Sequence, residues 1–203
     1  MEAQPESSSH RGLWRLMTLL AFGIVAYSVV LIAVPALRPP FLRERIATVP
    51  WAVYTHLGAS AIALGLGPFQ FDAAARARRL RLHRWLGRAY LVGVLAGGAS
   101  GFVLAQIAQG GLVAHIGFGA LAAVWISTAA LAYRSIRAGR RAEHRKWMIR
   151  NYALTFAAVT LRIYLPASVA LGAPFALTYP AISWLCWVPN LWLAERWIVR
   201  KPV

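Results

Sequence analysis

The sequence predicts an all-α integral membrane protein of six spans, its centre a four-helix bundle made from one two-helix hairpin used twice. Three observations carry this. Only 14% of the 203 residues are charged and 59% are hydrophobic, whereas soluble domains average about a quarter charged. The apolar residues fall into six long runs, at roughly 13–37, 50–71, 85–107, 112–133, 147–171 and 176–198. Each is close to or above the ~20 residues a helix needs to cross the hydrocarbon core. The runs also lack the every-second-residue alternation of a membrane β-barrel strand.

The first run follows a short polar tail, residues 1–12, with Ser7-Ser8-Ser9 and a histidine, His10, to which no role is assigned. It closes on Leu37-Arg38-Pro39-Pro40 with no small-residue cleavage site, so it is read as a span and not as a cleaved leader. The single six-span domain is then 13–203, and its lone cysteine, Cys186, falls inside the sixth run.

Charge placement orients the spans. The net charge is +16. Eighteen basic residues lie before the first run, around the junctions of runs two with three and four with five, and after the sixth; three (Arg38, Arg43, Arg45) lie on the opposite side. That asymmetry predicts cytoplasmic N- and C-termini in a plasma (inner) membrane protein. The charge is accounted for by topology and anionic lipid headgroups, and nucleic acid is not expected as a partner.

Runs two to five resemble one another. His56-Leu-Gly-Ala-Ser-Ala-Ile-Ala63 aligns with His115-Ile-Gly-Phe-Gly-Ala-Leu-Ala122, and Leu82–Tyr90 (LHRWLGRAY) with His144–Tyr152 (HRKWMIRNY). The repeat units are about 50–107 and 112–171. Both hairpins start on the same membrane side, so they are parallel repeats about an axis along the membrane normal. Equivalent helices then lie diagonally opposite, which sets His56 across from His115 at one end and His83 across from His144 at the arginine-rich end.

Facing imidazoles from two bundle helices suit a metal, above all haem iron. The faces that carry them are lined mostly by small residues: Ser60, Ala63 and Gly67 before Gln70 in run two; Gly87, Tyr90, Val94 and Gly97 in run three; Gly119, Ala122, Ile126 and Ala129 in run four. Close packing between membrane helices produces the same pattern. Zinc is disfavoured, since no Cys, Asp or Glu accompanies either pair. Arg162 lies inside the fifth run on the face of Asn151 and Thr155, with no acid inside the membrane to pair it. It calls for a bound anion, such as a haem propionate, or for snorkelling to the surface.

The string His56-x-Gly58, Gly67-Pro-Phe-Gln-Phe71, His83-Arg84-x-x-Gly87-Arg88-x-Tyr90, Trp125, His144-Arg145-x-Trp147-Met148-x-Arg150-x-Tyr152 and Thr160-Leu-Arg162 resembles the bacterial predicted-membrane-protein family named domain of unknown function 2306, over about residues 50 to 165. That family implies no activity. The architecture is also similar to the two-haem transmembrane b-type cytochromes that carry electrons from cytoplasmic ascorbate. This second resemblance implies one or two haem b groups, held by His56 with His115 and by His83 with His144. It implies one-electron transfer by a membrane-bound oxidoreductase, with a small-molecule donor on the cytoplasmic side. Arg84, Arg88, Arg145 and Arg150 would then hold propionates or the donor, and Trp85 and Trp147 would anchor the helix starts. Two other classes stay open: a haem-free protein that binds or transports an anionic lipid or solute, and a structural or assembly subunit.

Overall fold

In the computed structural model, which describes residues 8–71 and 73–200, the chain is helical throughout and the described residues form no strand. Residues 1–7 of the expected tail lie outside the described ones; helix α1 spans Ser8–Ala33. A turn at Pro35–Leu37 leads to α2 (Pro40–Thr48), which lies at 118° to α3 (Pro50–Gln70). Pro40 and Pro50 each stand at the first helical position, where a missing N–H costs nothing. The short α4 (Ala73–Arg78) then connects to α5 (Leu80–Ala105), and α6 (Gly111–Arg137) follows. The fifth run is α7 (Arg141–Thr155) and α8 (Ala157–Ala170), the sixth α9 (Phe175–Leu185) and α10 (Val188–Arg200).

Two of the basic residues on the arginine-poor side have a local task. Arg38 donates from Nε and Nη2 to the carbonyls of Leu31 and Ile32, both at 2.8 Å, and Arg43 donates to those of Arg38 and Ala36. Helix C-termini leave carbonyls without partners and favour a cation. The end of α1 takes both from Arg38, and Arg43 holds the turn that follows.

Four helices are long and apolar enough to cross a membrane: Gly12–Ala33, α5, α6 and the α7–α8 pair. A fifth is counted only if the sharply bent α2 and α3 are one span. The six expected spans are thus found in part. In the sixth run the physical reason is a proline. Pro189 has no N–H and its ring crowds the carbonyl four residues back, at Leu185, where α9 ends. What remains is one helix of 11 residues and one of 13.

The central bundle closes in the order α3, α5, α6, α7 and back to α3, so α3 lies diagonally from α6 and α5 from α7. Glycines of α5 make a close seam with α3, Gly97 from the expected small-residue face and Gly93 beside it. A Cβ on Gly93 would stand 2.8 Å from the Ala59 carbonyl oxygen of α3, and one on Gly97 would be 2.6 Å from Ser60 Oγ. Membrane helices gain nothing by hiding apolar side chains from lipid, so close backbone approach holds them together. Apolar residues such as Leu19, Val92, Ile116 and Ile163 stand outward, as a lipid-facing surface requires.

The α7–α8 break at Phe156 and the α9–α10 break at Cys186 meet each other. Asn190 Nδ2 donates to the Ala153 and Cys186 carbonyls and to Thr160 Oγ1, and the Thr160 hydroxyl donates to the Cys186 carbonyl. Backbone oxygens freed by the breaks are satisfied from the side, as the membrane interior demands.

Candidate functional site

The bundle axis is occupied by a buried polar cluster. Tyr90 of α5 donates its hydroxyl to Asn151 Oδ1 of α7 at 2.6 Å, directly across the diagonal. Asn151 Nδ2 donates in turn to the Trp125 carbonyl at 2.7 Å and to Thr128 Oγ1 at 2.8 Å, both on α6. The Trp125 indole N–H donates to Thr155 Oγ1 at 2.8 Å, and the Thr155 hydroxyl to the Asn151 carbonyl at 2.9 Å. All five side chains are buried.

Asn151 is the hub, with three partners. Replacing it with leucine is expected to cost about 2 kcal/mol of detergent-measured stability, since buried polar contacts in membrane proteins average about 0.6 kcal/mol each. Tyr90→Phe spares the two contacts to α6 but loses those to Asn151 and to Thr155 Oγ1, at 3.0 Å, and should cost about 1 kcal/mol. Thermal denaturation of both variants checks the order, and a larger loss for Tyr90→Phe would remove Asn151 from the centre of the cluster.

His83 and His144 each lie seven residues before this pair, two turns and about 10 Å along the same helix faces. His144 donates Nδ1–H to the Ala132 carbonyl of α6 at 2.9 Å, which fixes its tautomer and leaves Nε2 with a free lone pair. His83 Nδ1 is buried and has no partner. His83 is near enough to His144, Arg76 and Arg84 for their charges to act on it. Close by, the Gln70 amide lies against Gly87, whose Cβ would be 3.2 Å from Oε1, and Gln70 Nε2 is likewise buried without a partner. The two unpartnered nitrogens thus lie at the arginine-rich end of the bundle, about one turn of α5 apart.

The expected residues at the other end are arranged differently. His56 is turned to α5, where Nδ1–H meets the Gly97 carbonyl at 2.8 Å, and not to His115. His115 donates Nε2–H to the Ala108 carbonyl, in the connection that precedes its own helix. Between α3 and α6 lie the Gly97 and Gly98 backbone, Ile126 and the Trp125 ring.

Two of the expected anion-holding arginines are engaged elsewhere. Arg150 makes a two-pronged ion pair with Glu195 of α10 and stacks on Trp147, its guanidinium 4.6 Å from the ring centroid. Arg88 is exposed and stacks in the same way on Trp85, at 5.0 Å. Arg84 and Arg145 are exposed. The break at Phe156 separates Arg162 from the face of Asn151 and Thr155. Its guanidinium lies over the Tyr27 ring of α1, and Nη1 donates to the Ala158 carbonyl.

A family model described as a predicted membrane protein, DUF2306, matches residues 53–198. The chain belongs to that family. No curated protein and no solved structure matches this DUF2306 chain. The match runs from within α3 to within α10 and so includes both orphaned nitrogens, the polar cluster and Arg162.

Sequence reasoning reached His83, His144, Tyr90, Asn151 and Gln70, but it missed Thr128 and the donor role of Trp125. The available signal for Thr128 was a hydroxyl inside an apolar run. Among the described residues no three His, Cys, Asp or Glu side chains gather around a point. A two-imidazole site needs no third.

Proposed function

We propose that this DUF2306 protein is a b-type haem protein of six spans, its arginine-rich end and both termini in the cytoplasm, and that it passes single electrons across the membrane. One observation carries the reading: two imidazoles from diagonally opposed helices share one end of the bundle, each with a nitrogen left for a ligand. His83 and His144 would be the axial pair. Gln70 Nε2, Arg76 and Arg84 would supply donors to the propionates. Haem, when bound, supplies the one-electron couple, its potential set by axial ligands and burial. The chain's own share is to hold His144 in one tautomer through Ala132. The Tyr90–Asn151 bond floors the site from within.

A haem-free reading, with the same donors holding an anionic lipid or solute, is favoured by a different observation. The Tyr152 ring already fills the hollow over Gly67, one turn of α3 from Gln70. An absorption spectrum of protein purified from haem-replete cells, air-oxidised and then reduced with dithionite, separates the two. A Soret band that shifts on reduction and a sharp α band are expected. An intact, colourless protein would overturn the haem reading and leave the anion.

A further inference from the structure

We propose that His56, Ser60 and Arg162 form a second site, at the arginine-poor end, for a phosphate group that also bears or adjoins a hydroxyl. Three observations outside the haem reading support it, and nothing at the arginine-rich end is needed for it.

The first is depth. His56 is six residues into α3 and Arg162 eight residues short of the end of α8, about 9 and 12 Å from the same end of the bundle. The charge of Arg162 acts on His56. The two are therefore at about the same depth, within reach of each other's charge.

The second is the direction of Arg162. A snorkelling arginine would reach out toward the end of α8. This guanidinium bends inward instead, to the Ala158 carbonyl one turn deeper, with Tyr27 against it. Neither ion pair among the described residues includes it. A guanidinium has five N–H donors, and a desolvated one without a counter-charge is costly in a membrane.

The third is Ser60, one turn beyond His56 on α3. Its Oγ is buried and has no partner. Next to it, His56 spends Nδ1–H on the Gly97 carbonyl and so keeps Nε2 as an acceptor. The cluster thus offers a cation and a hydroxyl to an anionic oxygen, and one bare nitrogen to an O–H. A simple carboxylate satisfies the first two and leaves Nε2 empty. Dihydrogen phosphate satisfies all three, and so does a phosphatidylglycerol headgroup, whose phosphodiester adjoins free hydroxyls. Tyr27, which lies against the guanidinium, is 42% exposed, so the Arg162 edge of the cluster is the one open to lipid.

The test uses the full chain in neutral detergent, with thermal midpoint and native mass spectrometry as readouts. Phosphatidylglycerol, phosphatidylcholine and inorganic phosphate are titrated separately. Arg162→Gln is expected to weaken phosphatidylglycerol binding at least about tenfold, the usual worth of a charge-assisted hydrogen bond. Arg134→Gln, on the basic end, should leave that binding within about twofold, as an exposed charge does. Protection by phosphatidylglycerol alone assigns the site to a lipid headgroup; protection by phosphate as well assigns it to the free anion. Equal binding by wild type and Arg162→Gln overturns the site, as does preference for phosphatidylcholine. Should Arg162→Gln fail to fold, Ser60→Ala decides, because it removes one hydroxyl and no charge; undiminished affinity in that variant also overturns the proposal.

Discussion

Alanine in place of His144, or of His83, is expected to abolish the sharp α band of the reduced protein, while His115→Ala leaves it intact. A low-spin b-type spectrum needs two strong axial ligands, and the loss of either imidazole removes that ligand field. His144 is the more informative of the two. Its Nδ1–H is held by the Ala132 carbonyl, so Nε2 stands ready without reorganisation, and a carbonyl partner of this kind raises the basicity of a ligating imidazole. His144→Ala removes the ligand and its support together. His115 already spends Nε2–H on Ala108, next to its own helix, so nothing in the spectrum should depend on it. Bound haem that is unchanged in both the His83 and the His144 variants would sink the site. A band lost with His115→Ala would restore the opposite end of the bundle as a haem site.

Leucine in place of Gly93 is expected to yield no folded protein, and even Gly93→Ala to lose about 1–3 kcal/mol, the usual cost of overpacking. The reason is the nature of the neighbour. The nearest atoms to the new Cβ are the Ala59 carbonyl oxygen at 2.8 Å and the Ala63 backbone nitrogen at 3.3 Å. Helix backbone cannot step aside as a side chain can, so α3 and α5 would have to part along their whole seam. Gly23→Ala in α1 is the matched control. Nothing lies within 4 Å of its Cβ, and alanine there should stabilise by up to about 1 kcal/mol through helix propensity. Thermal unfolding in detergent, followed by tryptophan emission, reads both. A Gly93→Ala protein as stable as the control would mean that the two helices are not held by close approach.

The order of the bundle was legible because hydrophobic runs and arginine clusters report the solvent directly: water, lipid or headgroup. The diagonal relation of α5 and α7 was legible too. The partner of Tyr90 was not. By motif, Tyr90 matches Tyr152; yet Tyr90 is seven residues beyond His83, and the residue seven beyond His144 is Asn151. One extra residue turns a helix by about 100°. Asn151 therefore takes the central position, and Tyr152 swings to α3, where its hydroxyl donates to the Leu64 carbonyl at 3.4 Å. Arg150 is hidden from sequence reasoning for another reason. Its carboxylate partner, Glu195, is 45 residues away, and only the fold of α10 brings it near. His115 resembles His56 in its local motif, but a ring nitrogen takes the nearest open carbonyl, and for His115 that is Ala108 in the loop.

The bond from Asn190 to Ala153 joins residues 37 positions apart, and this bears on biogenesis. When α7 and α8 leave the ribosome, the carbonyl that Asn190 will satisfy has no partner, and an unsatisfied backbone group in hydrocarbon costs several kcal/mol. The break at Phe156 is therefore not expected to settle in lipid during its own synthesis. It is expected to stay at the insertion machinery, or to close into continuous helix, until α10 arrives. The C-terminal segment thus completes its predecessor, and defects in it should show first as nascent chains held back or degraded at insertion.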